Sequence, residues 1–320
     1  MRRLFALLAD PMIAVLLVAT MLALVVPSVG ELRDTARMIS SVGIFVLFLV
    51  NGMRIARGEI ASGIANWRYF APLMLFVFGV MAMGGIGFAR LADGYLPPLV
   101  ALGFLYLGTL PSTIQSATSY TTLAGGNIAL AVVGAALINI AGVFVTAPLF
   151  ALLAGTETVN VGNDAIIRIG AILILPFVIG QLLQRWTRDW VIQRKDRIVW
   201  LDRIVIGIAV YVAMSGAVEQ GLLQMFDARS WGWLLGLTIA FLVMSHVAAW
   251  LASGLLGYAV ADRKAFLFAG AQKSVAIGAP LAAILFAPDV AGFVIAPLLL
   301  YHLLQLVMAA PIATRLATRN

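Results

Sequence analysis

Cysteine is absent from the 320 residues. Disulfide frameworks, thiol nucleophiles and cysteine-based metal sites are therefore excluded. His246 and His302 are the only histidines, too few for a histidine zinc cluster. Charged residues make up only 11% of the chain, against roughly 25% in soluble domains. No polar segment is long enough to form a separate soluble domain.

What is present is apolar. Hydrophobic residues reach 62%, and runs long enough to cross a hydrocarbon core of roughly 30 Å recur along the whole chain. The chain therefore reads as an all-α integral membrane protein. Ten spans are expected, roughly at 11–30, 38–53, 67–91, 97–122, 127–153, 164–186, 198–219, 230–258, 264–287 and 290–313. They form a single transmembrane domain over 1–320. Met1-Arg2-Arg3 and the apolar run after it read as the start of the first helix, because no small-residue cleavage site follows.

The formal charge of +7 raises nucleic acid as a partner, but the placement of the charges speaks for the bilayer instead. Fifteen basic residues fall at one side of the ten spans: Arg2, Arg3, Arg54, Arg57, Arg68, Arg185, Arg188, Arg194, Lys195, Arg197, Arg203, Arg263, Lys264, Arg315 and Arg319. Five fall at the other: Arg33, Arg37, Arg90, Arg168 and Arg229. That bias places both termini in the cytoplasm, and the membrane expected is the plasma (inner) membrane. Ten spans divide into two sets of five, and an odd set must return inverted. Repeat one covers about 1–155 and repeat two about 160–320.

Two spans, the fourth and the ninth, are disturbed at matching positions of the halves. Such a pair points to the site in inverted-repeat transporters. In the fourth, Pro111 removes a backbone donor and frees carbonyls near Leu107 and Gly108. Eight of the eleven residues from Ser112 to Thr122 are Ser, Thr or Gln. Hydroxyls and freed carbonyls together suit a hydrated solute or a small cation, although hydroxyls also join membrane helices. Ser112, Thr113, Gln115, Ser116, Thr118 and Ser119 are the candidates here.

In the ninth span, Gln272-Lys273-Ser274 interrupts an apolar run between Gly270 and Gly278-Ala279-Pro280. Pro111, Gly270, Gly278 and Pro280 are expected to break the helices. Lys273 lies near mid-depth, where an ionisable side chain defaults to function. No Asp or Glu stands near the middle of any span. Lys273 then has three states open to it: neutral, charged among carbonyls and hydroxyls, or paired with an anionic substrate. Asn51, Asn139, Gln181, Gln305, His246 and His302 read instead as polar links between helices. Most tryptophans fall near span ends, as interfacial rings do.

At these two spans the chain resembles the bile acid:sodium symporter superfamily, most closely its SBF-like branch, which includes the seventh-member branch of the vertebrate solute carrier 10 family. The carrying residues are Pro111-Ser112-Thr113-Ile114-Gln115-Ser116, Gly126-Asn127-Ile128-Ala129, and Gln272-Lys273-Ser274 with Gly278 and Pro280. The resemblance implies a core domain of spans three to five and eight to ten, and a panel domain of spans one, two, six and seven. Broken helices four and nine would cross at mid-membrane, with alternating access between core and panel. It also adds Asn127 to the site residues.

The sodium site of that family is only partly matched. Ser116 stands where the family has Ser, but Ala117 stands where it has Asn. Its later hydroxyl positions fall at about Ala131 and Ala135. Its sodium-binding Glu falls at Phe268; Gln272 matches, but the next amide is Lys273. An ammonium beside two sodium ions is electrostatically poor.

The function expected is secondary transport of a small organic anion without sodium, or coupled to protons through Lys273. The alternatives are sodium-coupled symport, with Thr118, Ser119 and Thr121 replacing lost ligands, and a non-transporting regulatory membrane protein. No carboxylate pair, Ser-His pair or His-Glu metal motif stands at a suitable depth, so neither an enzyme nor a cofactor is expected.

Overall fold

The computed structural model describes residues 11–55, 58, 61, 65–155 and 167–318. The sequence expectations on Arg2, Arg3, Arg57 and Arg319 lie outside these residues. The described residues form helices and no strand. Helix α1 is Pro11–Val25, α2 Gly30–Arg54, α3 Trp67–Ala92, α4 Pro98–Thr109, α5 Ile114–Leu123 and α6 Ile128–Ala154. Helix α7 is Ile167–Gln193, α8 Lys195–Glu219, α9 Leu222–Met225, α10 Ala228–Leu255, α11 Val260–Ala271, α12 Val275–Leu285 and α13 Pro288–Ala317.

Eight stretches are long and apolar enough to cross a membrane, α11 and α12 counting together as one. The pair α4 and α5, bent by 63° at its break, makes a ninth. Helix α1 is apolar over its 15 described residues.

The chain divides into two compact units. The first comprises Met1–Arg57, Ala154–Asp227 and Ala276–Ala296; the second comprises Gly58–Leu153, Ala228–Val275 and Pro297–Asn320. The family resemblance implies that spans nine and ten lie wholly in the same domain as spans three to five. The structure instead groups 276–296 with the first unit. The reason is backbone contact: a Cβ on Gly216 would strike the carbonyl of Pro288, and one on Gly292 would strike that of Ala213.

Within the first unit, α2 and α7 touch backbone to backbone. A Cβ added to Gly180 would lie 2.9 Å from the Gly52 Cα and on the Leu49 carbonyl. The Gln181 amide then donates to the carbonyls of Gly52 and Ile55, at 2.7 and 3.1 Å, and closes the end of α2. Small residues permit this approach where no hydrophobic force separates lipid from helix. Gly180→Val should therefore lower stability by about 3 kcal/mol, the upper end for overpacking. Gly87→Ala meets nothing within 4 Å, and should be neutral or stabilise by up to about 1 kcal/mol. Thermal unfolding of the purified protein separates the two.

Candidate functional site

The site lies within the second unit, where two chain breaks meet. Pro111 cannot donate a backbone hydrogen bond, and its ring would clash with the turn before it. Helix α4 accordingly stops at Thr109, and α5 begins only at Ile114. Gly142 of α6 makes room for the proline: a Cβ there would lie 2.6 Å from the Pro111 Cβ. The second break is Gln272–Ser274, between α11 and α12.

The helix-breaking role expected of Gly270, Gly278 and Pro280 is corrected here. Gly270 lies inside α11, and Gly278 and Pro280 lie inside α12. Gly270 serves packing: a Cβ there would sit 2.9 Å from the Phe76 ring. Pro280 forfeits one hydrogen bond, yet the helix continues to Leu285 around it.

A broken helix at membrane depth must satisfy its freed peptide groups within the protein. Five consecutive carbonyls of the first break do so. The Lys273 Nζ donates to Gly108 O at 3.1 Å and to Leu110 O at 2.7 Å. Between these, the Thr146 hydroxyl donates to Thr109 O at 3.1 Å. The Ser274 amide donates to Pro111 O at 3.0 Å. The Asn139 side chain donates to Ser112 O at 2.7 Å.

The second break is satisfied from α13. Gln305 accepts from the Lys273 amide at 2.8 Å and donates to the Lys273 carbonyl at 3.0 Å. One turn earlier, the Tyr301 hydroxyl donates to Ala271 O at 2.6 Å and accepts from Ser245 at 2.8 Å. Gln305 also donates to the His302 Nδ1 at 2.9 Å, which fixes that ring with its proton on Nε2.

Lys273 is 0% exposed. Among the described residues no carboxylate forms an ion pair with it; the ion pairs are Arg33–Glu219 and Arg54–Asp202. Its Nζ is held by the backbone carbonyls of Gly108 and Leu110. Nor does any group of three or more His, Asp or Glu among the described residues suit a metal ion.

The expected site residues divide into three sets. Ser112, Ser116, Gln272, Lys273 and Ser274 are brought together and buried, and the Ser116 hydroxyl donates to Gln272 Oε1 at 3.0 Å. The Ser112 and Thr118 hydroxyls and the Gln272 Nε2 are buried with no hydrogen-bond partner. Gln115 and Ser119, four residues apart, form an exposed polar face of α5, with Thr113 half-buried.

Asn127 does not join them. Its amide donates to Ala261 O and its side chain to Asp262 Oδ1, both at 2.9 Å. It also accepts from the Leu130 amide, capping α6 and pinning it to the start of α11. Thr146 and Tyr301 were missed in the sequence, and Asn139 and Gln305 were taken only as links between helices. Tyr301 and Gln305 did leave a signal: two polar residues four apart on an otherwise apolar stretch.

A family model for the SBF-like CPA transporter family (DUF4137) matches residues 10–318. The chain belongs to that family. Members similar to it include "Uncharacterized protein PA2026" of Pseudomonas aeruginosa, 35% identical over 98% of this chain and 94% of the relative. "Putative symporter YfeH" of Escherichia coli is 32% identical over 96% of this chain and 92% of its own length. "Sodium/bile acid cotransporter 7" of Mus musculus is 22% identical over 85% of this chain and 81% of its own. The chain is thus a multi-pass membrane protein of a transporter family.

Proposed function

We propose that this SBF-like chain is a secondary transporter of a small organic anion, in which Lys273 stands where a coupling sodium ion would sit. One observation carries the reading: the buried Lys273 Nζ bridges the carbonyls of Gly108 and Leu110, freed by Pro111. Carbonyl pairs of this kind suit a hard monovalent cation, and a tethered ammonium occupies them. Transport then proceeds without sodium, or is driven by protons through Lys273.

The anion is accommodated by Ser112, Thr113, Gln115, Ser116, Thr118, Ser119, Gln272 and Ser274 around that positive charge. The exposed polar face of α5 supports a watered pathway, since polar side chains at membrane depth face a cavity or other protein. In the fuller architecture, α1 is the tenth span and the chain forms two inverted five-helix repeats in the inner membrane. Both termini are cytoplasmic. The paired breaks and the fifteen-to-five basic bias support this arrangement.

The test uses purified protein in proteoliposomes. A panel of small organic anions is first screened by thermal stabilisation, and uptake of those that bind is then measured. Uptake is expected to be equal in sodium and in choline, and stability unchanged by sodium. A tenfold sodium stimulation of uptake, or marked sodium stabilisation, overturns the tethered-cation reading. An inward proton gradient that raises uptake assigns the coupling to protons.

A further inference from the structure

We infer that the first unit carries a binding site for an anionic phospholipid, seated in the groove between α1 and α8. The groove encloses about 400 Å³. Ala14, Val18 and Leu22 of α1 line one side, and Trp200, Ile204 and Ile208 of α8 line the other. Gly207 sets its floor, because a Cβ there would lie 2.7 Å from Val15. The Tyr211 hydroxyl, at the groove's far end, is committed to Val26 O at 2.9 Å. The walls therefore favour a hydrocarbon chain over a polar solute.

The two ends differ. Tyr211 reaches Val26 while Gly207 faces Val15, so α1 and α8 run parallel and begin at the same end. Trp200 lies at that beginning, with the Arg203 guanidinium over its ring at 5.1 Å. Arg197 is exposed one turn earlier, on the face that continues through Trp200, Ile204 and Ile208. Lys195 is exposed beyond it. Of the nearby acids, Asp196 is exposed, whereas Asp202 is engaged by Arg54 at 4.0 Å. An apolar slot ending in an aromatic ring and two guanidinium groups matches one acyl chain and a phosphate. Arginine also pairs with phosphate through its planar fork. A second copy of this chain seated parallel in the groove would bring its own arginines to the same depth. Charge repulsion therefore favours the lipid.

The full-length protein is reconstituted with increasing fractions of acyl-brominated phosphatidylglycerol or phosphatidylcholine. Quenching of Trp200 fluorescence by the brominated chains is isolated by subtracting the signal of Trp200→Phe. Half-quenching should need about thirtyfold less of the anionic lipid, as expected for two basic residues acting near the membrane surface. Arg197→Gln/Arg203→Gln should erase that preference. Ala14→Phe, which fills the groove from an exposed position, should remove the Trp200 component for both lipids. Equal half-quenching by the two lipids in the unaltered protein overturns the site, as does quenching indifferent to Ala14→Phe. The chain lacks cysteine, so an intermolecular disulfide formed by Val18→Cys would assign the groove to a second copy and also overturn it.

Discussion

Lys273→Met should reduce uptake by about 10²- to 10⁴-fold while shifting unfolding stability by no more than about 2 kcal/mol in either direction. The two effects have different origins. The Nζ makes two hydrogen bonds from a charged donor, to Gly108 O and Leu110 O. Such bonds contribute about 1.5–3 kcal/mol each, and about 1.4 kcal/mol is a factor of ten. Transport that depends on the charge loses that factor. Stability is subject to two opposing terms. Methionine leaves both carbonyls without donors, at about 1–3 kcal/mol each. It also relieves a fully buried ammonium that has no counter-ion, a relief of several kcal/mol. A lysine that merely braced the fold would give the reverse pattern: a large loss of stability, with uptake falling only in proportion to the folded fraction.

Lys273→Ala separates the charge from the space it fills. Alanine opens a pocket edged by the Gly108 and Leu110 carbonyls. Sodium at ten times its dissociation constant would then raise stability by about 1.4 kcal/mol. The unaltered protein and Lys273→Met should show no such gain, because each fills the position with its own side chain. If alanine gains nothing from sodium or any other monovalent cation, the carbonyl pair is not a cation site and the tethered-cation reading fails.

The first break was legible in the sequence because its cause is local. Pro111 forbids the helix by covalent geometry, and the hydroxyl-rich run after it is visible without a partner. The second break was legible as a place but not as a residue. Gly270, Gly278 and Pro280 carry the usual signals of a break, yet all three are helical. The chain opens at Gln272–Ser274, where Tyr301 and Gln305 of α13 and the Pro111 carbonyl offer replacement hydrogen bonds. A break goes where partners wait, and those partners come from thirty or more residues away or from the other half of the chain. Asn127 shows the same gap from the other side. Its neighbours in sequence suggested the site, whereas Ala261 and Asp262 hold it at the end of α6. The passage of 276–296 into the first unit depends on Gly216 meeting Pro288, a contact that no periodicity announces.

Gln305→Leu should be the most destabilising single change around the second break, by about 2–6 kcal/mol. The glutamine holds both halves of one residue's backbone, accepting from the Lys273 amide and donating to its carbonyl. Leucine is close in volume and apolar, so no cavity compensates or complicates the loss. Both peptide groups are left unpaired where no water replaces the amide, at about 1–3 kcal/mol each. Tyr301→Phe supplies the calibration. It removes one donor, from Ala271 O, and frees the Ser245 hydroxyl to donate to the Leu242 carbonyl instead. Its cost should be about 1–3 kcal/mol, half that of Gln305→Leu. Chemical or thermal unfolding of the two variants in one detergent reads the order. A Gln305→Leu protein no less stable than Tyr301→Phe would mean that the break is held by Lys273 and Ser274 alone. With the expected order, uptake by Gln305→Leu should fall even at temperatures where the variant stays folded. The Lys273 backbone is the mount of its ammonium, and a mount released on both sides no longer keeps Nζ between Gly108 O and Leu110 O.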